Sequence, residues 1–156
     1  MLGLHNLFSR IDEMGSKVVK LKELEKKTNE GLKEQVSESH LILVGHLVVE
    51  LKLKPDITVA LRLKLNELIK RLEQRGYPKE KIKENIVSES IDYCGIKAKE
   101  MCKETYEVET DQEKREMIDY IVSVASGAPR KPPEVKEISR FDELLELVTS
   151  GNHYSL

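Results

Sequence analysis

Residues 54–63 (KPDITVALRL) decide the fold class, because they predict a buried strand entered through a proline turn. After Lys54-Pro55-Asp56 the chain becomes a nearly continuous apolar run from Ile57 to Leu63. Such runs are typical of strands in parallel sheets, which are covered on both faces. A second run of this kind lies upstream, from Leu41 to Val44. Two strands of this type predict an α/β fold.

The chain after this strand predicts two helices joined by a tight turn, and then a last strand. Apolar residues recur at helical spacing between 65 and 72, and Gly76 ends that helix. Pro78 opens a second helix, which the pattern predicts to be continuous to about Met101. Thr105 to Glu109 alternates charged and apolar residues, which predicts a strand at the edge of the sheet.

The remaining segments are predicted mainly as helices. Leu4 to Met14 carries an apolar stripe at helical spacing, and Gly15 can cap it. A short strand is predicted at 17–21 and a weak helix at 22–39. Asp111 to Val124 predicts a helix, whose inward residues are expected to be Ile118, Ile121, Val122 and Ala125. Ser139 to Val148 predicts a terminal amphipathic helix, behind a linker that contains three prolines.

The composition indicates a single soluble domain. The 156 residues are 39% hydrophobic and 35% charged, with 4% aromatic residues and no Trp. A net charge of −2 provides no basic field for phosphates, and the few aromatics offer no stacking platforms, so we expect no direct DNA binding. No signal peptide and no membrane-spanning apolar run is evident. Helical spacing keeps Cys94 and Cys102 apart, which predicts reduced thiols in a cytoplasmic protein.

The turn Arg75-Gly76-Tyr77, with the helix KEKIKEN that follows it, carries a resemblance to a known family. The end of the strand at Arg62-Leu63 and about ten residues of helix precede this turn, and the strand entry Lys54-Pro55-Asp56-Ile57 and the pair Gly45-His46 lie further upstream. Together, residues 7–124 resemble the nucleoside monophosphate (NMP) kinase-like NTPases of archaea and the eukaryotic nucleus. These form the adenylate kinase family linked to maturation of the small ribosomal subunit. The resemblance implies a three-layer P-loop NMP-kinase-like fold with a short parallel sheet.

The same resemblance implies site residues and ligands. It implies that Arg75 contacts nucleotide phosphate or adenine at the start of a lid spanning about 74–84, that His46 is catalytic and that Gln112 lies near adenine. ATP, Mg²⁺ and AMP are the ligands implied. The residues themselves leave plainer alternatives open. Arg75 can be a solvated residue at a helix end, His46 a polar residue ending a strand, and Gln112 an ordinary residue in the first turn of a helix.

The sequence departs from the family pattern at two places. The phosphate loop G-x-x-x-x-G-K-[ST] occurs nowhere in it, and Leu4 and His5 stand where the resemblance places the lysine and the hydroxyl residue. Val44 stands where the family has an acid that helps to hold magnesium, and valine cannot ligate a hard cation. We therefore expect no metal-binding residue, and a first strand and phosphate loop that are missing or degenerate. The sheet then has exposed edges, unless the reading frame starts upstream, the sheet closes without that strand, or a partner supplies one.

These observations predict a domain over 1–126, a linker over 127–136 and a C-terminal helix and tail over 137–156. Two functions compete. The first is an adenylate kinase, impaired in catalysis, that acts in small-subunit maturation. The second is a non-catalytic relative that binds a protein, such as one of the small ribosomal subunit, or associates with itself through exposed sheet edges. An all-helical interaction domain is a third alternative.

Overall fold

The computed structural model describes residues 8–13, 17–35, 41–110, 114–127, 140–151 and 154. The chain divides into two compact units, Met1–Lys54 and Pro55–Leu156. The described residues contain six α-helices and two two-stranded sheets, one antiparallel and one parallel. The predicted mixed α/β class with a short parallel sheet is thereby confirmed.

The first unit is built on a hairpin. Strand β1 (Phe8–Ile11) pairs antiparallel with strand β2 (Lys17–Val19), and helix α1 (Leu21–Gln35) follows. A short 3-10 helix spans His46–Glu50. A small apolar cluster closes the unit; its members are Leu24 and Leu51, with Val19, Leu47 and Leu53 packed against them.

Two predictions for this unit are wrong. The sequence pattern predicts a helix from Leu4 to Met14, whereas the structure has strand β1 at Phe8–Ile11. Residues 1–7 and 14–16 lie outside the described residues. A short isolated helix is marginal in water, whereas pairing with β2 gives the same backbone groups hydrogen-bond partners. The buried strand predicted at Leu41–Val44 is not formed, and Ile42 and Val44 are 71% and 83% exposed. A buried strand needs paired neighbours, and no described residue pairs with this run.

The second unit confirms the strand and the first helix predicted after residue 54. Strand β3 (Thr58–Arg62) pairs in parallel with β4 (Thr105–Glu109), so that the two strands end side by side. Helix α2 (Leu65–Gln74) follows β3, and Gly76, with φ +70°, takes the left-handed conformation that ends it. Three further helices follow along the chain, namely α3 (Lys79–Ser90), α4 (Tyr93–Met101) and α5 (Lys114–Ala125). The last described helix is α6 (Arg140–Thr149).

The continuous helix predicted from Pro78 to Met101 is two helices. The chain breaks at Ile91 and Asp92, and Asp92 has a left-handed backbone with φ 54°. Asp is one of the few residues other than Gly that adopt this conformation readily. The break allows α4 to turn back and pack along β3. Buried Gly95 permits a close approach here, because a Cβ at this position would overlap the carboxylate of Asp92.

Helix α5 covers one face of the parallel pair. Val108, Tyr120 and Val124 form a buried cluster there. The sequence pattern predicted Ile118 and Val122 as inward residues, and this is wrong, because both are about half exposed. The helix is rotated so that Tyr120 meets the strand, where its ring contacts Tyr106 edge-on at 6.3 Å between centroids.

A second core lies between α2, α3 and α6. Its buried members are Leu65, Ile69, Leu72, Ile82, Ile86, Leu147 and Tyr154. The hydroxyl of Tyr154 donates a hydrogen bond of 2.6 Å to Glu73 Oε1 on α2. The C-terminal helix thus supplies part of the core of the second unit. None of the described helices has the length and apolar character needed to cross a membrane.

Candidate active site

The carboxyl ends of β3 and β4 are the natural place to look for a site in this fold. In open α/β sheets, ligands bind in the crevice beyond the carboxyl ends of the strands. Here the last residues of the two strands, Arg62 and Glu109, lie opposite each other in the sheet register. Both are buried, with 8% and 6% of their surface exposed. Two buried charged residues at the end of a sheet require partners.

Arg62 is surrounded by carboxylates. Its Nε donates to Glu89 Oε1 at 2.9 Å, and its Nη1 pairs with Asp92 and, at 3.4 Å, with Glu107 Oε2. Glu89 lies in the last turn of α3 and Asp92 in the break before α4, so these pairs connect the end of β3 to both helices. Lys99 on α4 pairs with the other oxygen of Glu107 at 2.5 Å.

The second arginine comes from the C-terminal helix. Arg140, the first residue of α6, pairs through Nη2 with Glu109 at the end of β4, and through Nη1 with Glu143 at 2.8 Å. Its Nε lies 3.7 Å from Glu89 Oε1 and has no hydrogen-bond partner. The other oxygen of Glu143 accepts the backbone N–H of Leu65 at 2.7 Å, where α2 begins. A carboxylate thus occupies the positive end of this helix.

Two pKa shifts follow from these contacts. Burial by itself lowers the pKa of Arg140, but the hydrogen bond to Glu109 and the charges of Glu143 and Glu109 outweigh it and raise the pKa above its ordinary value. The hydrogen bond to Glu107 raises the pKa of Lys99. Both side chains therefore stay cationic through the ordinary pH range.

In this network the carboxylates outnumber the cations, so it is not open to an anion. It joins three cations to five carboxylates, namely Arg62, Lys99 and Arg140 with Glu89, Asp92, Glu107, Glu109 and Glu143. A phosphate entering here would have to displace a carboxylate that already satisfies an arginine. The network fixes α3, α4 and α6 at the end of the sheet. Within the described residues, no group of His, Cys, Asp and Glu could hold a metal ion.

The site residues predicted from the sequence are not members of this network. His46 is exposed and begins the 3-10 helix of the first unit, so it does not follow a buried strand as expected. Arg75 is exposed at the carboxyl end of α2, about 15 Å along the helix from Leu65 at a rise of 1.5 Å per residue. It therefore stands apart from the buried network. Gln112 lies outside the described residues.

The turn after Arg75 is well ordered by local contacts. Gly76 and Tyr77 donate backbone hydrogen bonds to Glu73 O and Leu72 O at 2.8 and 3.1 Å, which closes the end of α2. The Lys81 ammonium lies over the Tyr77 ring, 4.7 Å from the ring centroid. The guanidinium of Arg75 points from this turn toward solvent, where a ligand can reach it.

Sequence reasoning missed the buried network. One signal was available, because Arg62 is a charged residue inside an apolar strand and therefore needs buried partners. The partners themselves are separated from it by 27, 30 and 45 positions. No local pattern identifies contacts at such separations.

Comparison with known proteins places these features in a family. A family model described as an AAA domain matches residues 6–92. A protein of Methanosarcina barkeri named "Putative adenylate kinase" is 33% identical over 144 residues, covering 87% of this chain and 76% of the relative. A protein of the same name from Methanocaldococcus jannaschii is 30% identical over 145 residues, covering 92% of this chain and 77% of the relative.

Proposed function

Because this chain belongs to the family of archaeal AAA-domain proteins named "Putative adenylate kinase", we propose that it is an adenylate kinase-like nucleotide-binding protein with impaired phosphoryl transfer. The observation that carries this proposal is the excess of carboxylates at the carboxyl ends of β3 and β4. Both buried arginines there are paired with carboxylates, so neither provides net positive charge to neutralise a phosphoryl group in transfer.

Two features of the sequence support the impairment. Kinases of the P-loop class hold the transferring phosphate with backbone amides and a lysine, and the 156 residues contain no G-x-x-x-x-G-K-[ST] motif. Val44 offers no oxygen two positions before His46, and the described residues contain no alternative metal-binding group. The described residues therefore do not fit a tightly held Mg²⁺–ATP complex.

The roles implied by the resemblance stay part of the proposal. Arg75 contacts the phosphates or the adenine of ATP from the start of the lid over 74–84. Gln112 lies by the adenine, His46 is catalytic, and AMP is the expected acceptor. The exposure of Arg75 at an ordered turn supports its role, since a guanidinium there can pair with phosphoryl oxygens and release them.

Calorimetric titration with ATP and with AMP tests this function. We expect saturable ATP binding, weakened about tenfold or more in Arg75→Ala, because a hydrogen bond to a charged group contributes about 1.5–3 kcal/mol. Lys79→Ala is the matched control, since Lys79 is an exposed cation on the same turn. An affinity that Arg75→Ala leaves unchanged would remove Arg75 from the site. No binding at millimolar ATP would refute the function.

A second candidate, a non-catalytic relative that associates with itself, is favoured by the free edge of β3. Among the described residues β3 pairs with β4 alone, through backbone groups of residues such as Thr58 and Arg62. The backbone groups of Val59 and Leu61 face the other edge, and the side chain of Leu61 is half exposed. Such an edge is a template for a further strand.

Native mass decides this candidate. Self-association through the edge predicts a dimer that Leu61→Lys dissociates and that Val122→Lys, at an exposed apolar position on α5, leaves intact. A monomer at all concentrations contradicts it.

The link to small-subunit maturation is carried over from the resemblance alone. Pull-down of a small-subunit ribosomal protein by the intact chain tests it, and failure to retain any such protein contradicts it.

A further inference from the structure

The outer face of α6 is apolar, although its inner face already contributes to the core. Leu147 and Arg140 point inward and are buried. About 100° further round the same helix, Phe141, Leu145 and Val148 are 64%, 54% and 39% exposed. These three residues, spaced at i, i+4 and i+7, form one continuous stripe on a helix. The apolar surface of α6 therefore extends beyond the part that packs on the core, and an apolar helix surface is typically covered.

One edge of this stripe is acidic. Successive helical residues are about 100° apart, so Asp142 and Glu146 lie side by side next to Leu145. Both are exposed. They also line a groove of about 350 Å³ between α6 and the start of α2, together with Lys64, Asn66, Glu67 and Glu143. The groove therefore presents four carboxylates against one lysine, next to a row of large apolar side chains.

We propose that the stripe Phe141–Leu145–Val148 and its acidic edge form a docking surface for a basic amphipathic helix of a partner protein. Helix-in-groove recognition uses apolar anchors at this spacing. The acidic edge then selects a partner that carries Lys or Arg beside its apolar residues. The inference does not depend on the nucleotide chemistry proposed above, because its apolar anchors Phe141, Leu145 and Val148 take no part in that site.

The charges argue against other occupants. A second copy of the chain in a two-fold interface would bury the same patch on both molecules and bring two acidic edges together. Anionic lipid surfaces and nucleic acids are repelled by the same carboxylates. Among the described residues of the second unit, the core meets α6 through Leu147.

Fluorescence anisotropy with a labelled 14-residue peptide of Leu and Lys at helical spacing tests the proposal on the intact chain. We expect saturable binding, weakened at least tenfold by Leu145→Glu and by Phe141→Ser, and weakened by added salt. Val122→Ser is the matched control, since Val122 is an exposed apolar residue of α5 at 57% exposure. A peptide with Glu in place of Lys is expected not to bind.

Four results would overturn the proposal. One is equal loss of binding in Val122→Ser and Leu145→Glu, which indicates non-specific adhesion. Another is equal binding of the Glu peptide, which removes the role of the acidic edge. The third is concentration-dependent dimerisation of the chain that Leu145→Glu abolishes, which assigns the stripe to a second copy. Binding to vesicles of 30% phosphatidylserine that Leu145→Glu abolishes would equally reject a protein partner. Far-ultraviolet circular dichroism confirms that each variant is folded.

Discussion

Replacing Arg140 with Met tests whether the buried charge network holds the second unit together. The substitution keeps most of the side-chain volume but removes the cation that pairs with Glu109 and Glu143. The Glu109 side chain is only 7% exposed, so it would be left as a buried carboxylate without a counter-ion. Removing one partner of a buried ion pair costs about 3–5 kcal/mol.

The expected loss is large on the scale of a domain of this size. For a domain of 60–100 residues, 1 kcal/mol corresponds to about 4–8 °C in Tm, so Arg140→Met should lower Tm by more than about 10 °C. Urea unfolding followed by circular dichroism measures the free energy directly. Arg115→Met is the control, because Arg115 is exposed on α5, and we expect it to change stability by less than about 0.5 kcal/mol.

A double-mutant cycle separates the ion pair from packing. If the cost of Arg140→Met arises from the orphaned carboxylate, then Glu109→Leu in the same chain should recover part of it, and the two losses should be less than additive. If Arg140→Met lowered the free energy of unfolding by less than about 1 kcal/mol, the pair would be no stronger than an ordinary surface ion pair, and this reasoning would be refuted.

Two further predictions concern the C-terminal segment. Leu147→Ala should lower the free energy of unfolding in urea by about 2–5 kcal/mol, because it leaves a cavity in the core between α2, α3 and α6. Leu145→Ala on the outer face should lower it by less than about 0.5 kcal/mol. Equal losses would contradict the observed orientation of the helix. The hydrogen bond to Glu73 raises the pKa of Tyr154, so its stabilisation is present below the unfolded pKa of about 10 and is lost as pH rises through the folded pKa. Thermal melts in that alkaline range should therefore fall less steeply for Tyr154→Phe than for the parent, and parallel curves would contradict the assignment.

The elements that the sequence predicts well are those with local causes. The apolar run at Thr58–Arg62 forms a strand, and Gly76 ends α2 because a left-handed residue is required there. The run Leu41–Val44 is also apolar, but it forms no strand. An apolar run indicates only that burial of its side chains is favourable. A strand also requires a neighbouring strand with free backbone hydrogen-bonding groups.

The candidate site shows the same limit. Asp92 breaks the predicted long helix through a backbone conformation that few residues adopt, and its pairing with Arg62 accompanies that break. Arg140 reaches Glu109 across 31 positions of sequence. Long-range ion pairs of this kind leave no periodic pattern, so the sequence predicts a charged residue that needs a partner and not which partner it finds.

The formation of ADP from ATP and AMP in the presence of magnesium tests the central claim most directly. An authentic adenylate kinase assayed in parallel is the positive control, and omission of AMP corrects for hydrolysis. The excess of carboxylates at the carboxyl ends of β3 and β4 and the absence of the lysine-bearing loop from the sequence predict a rate below about 1 s⁻¹, the low end for kinases. A rate above about 1 s⁻¹ that depends on AMP would contradict the proposed impairment.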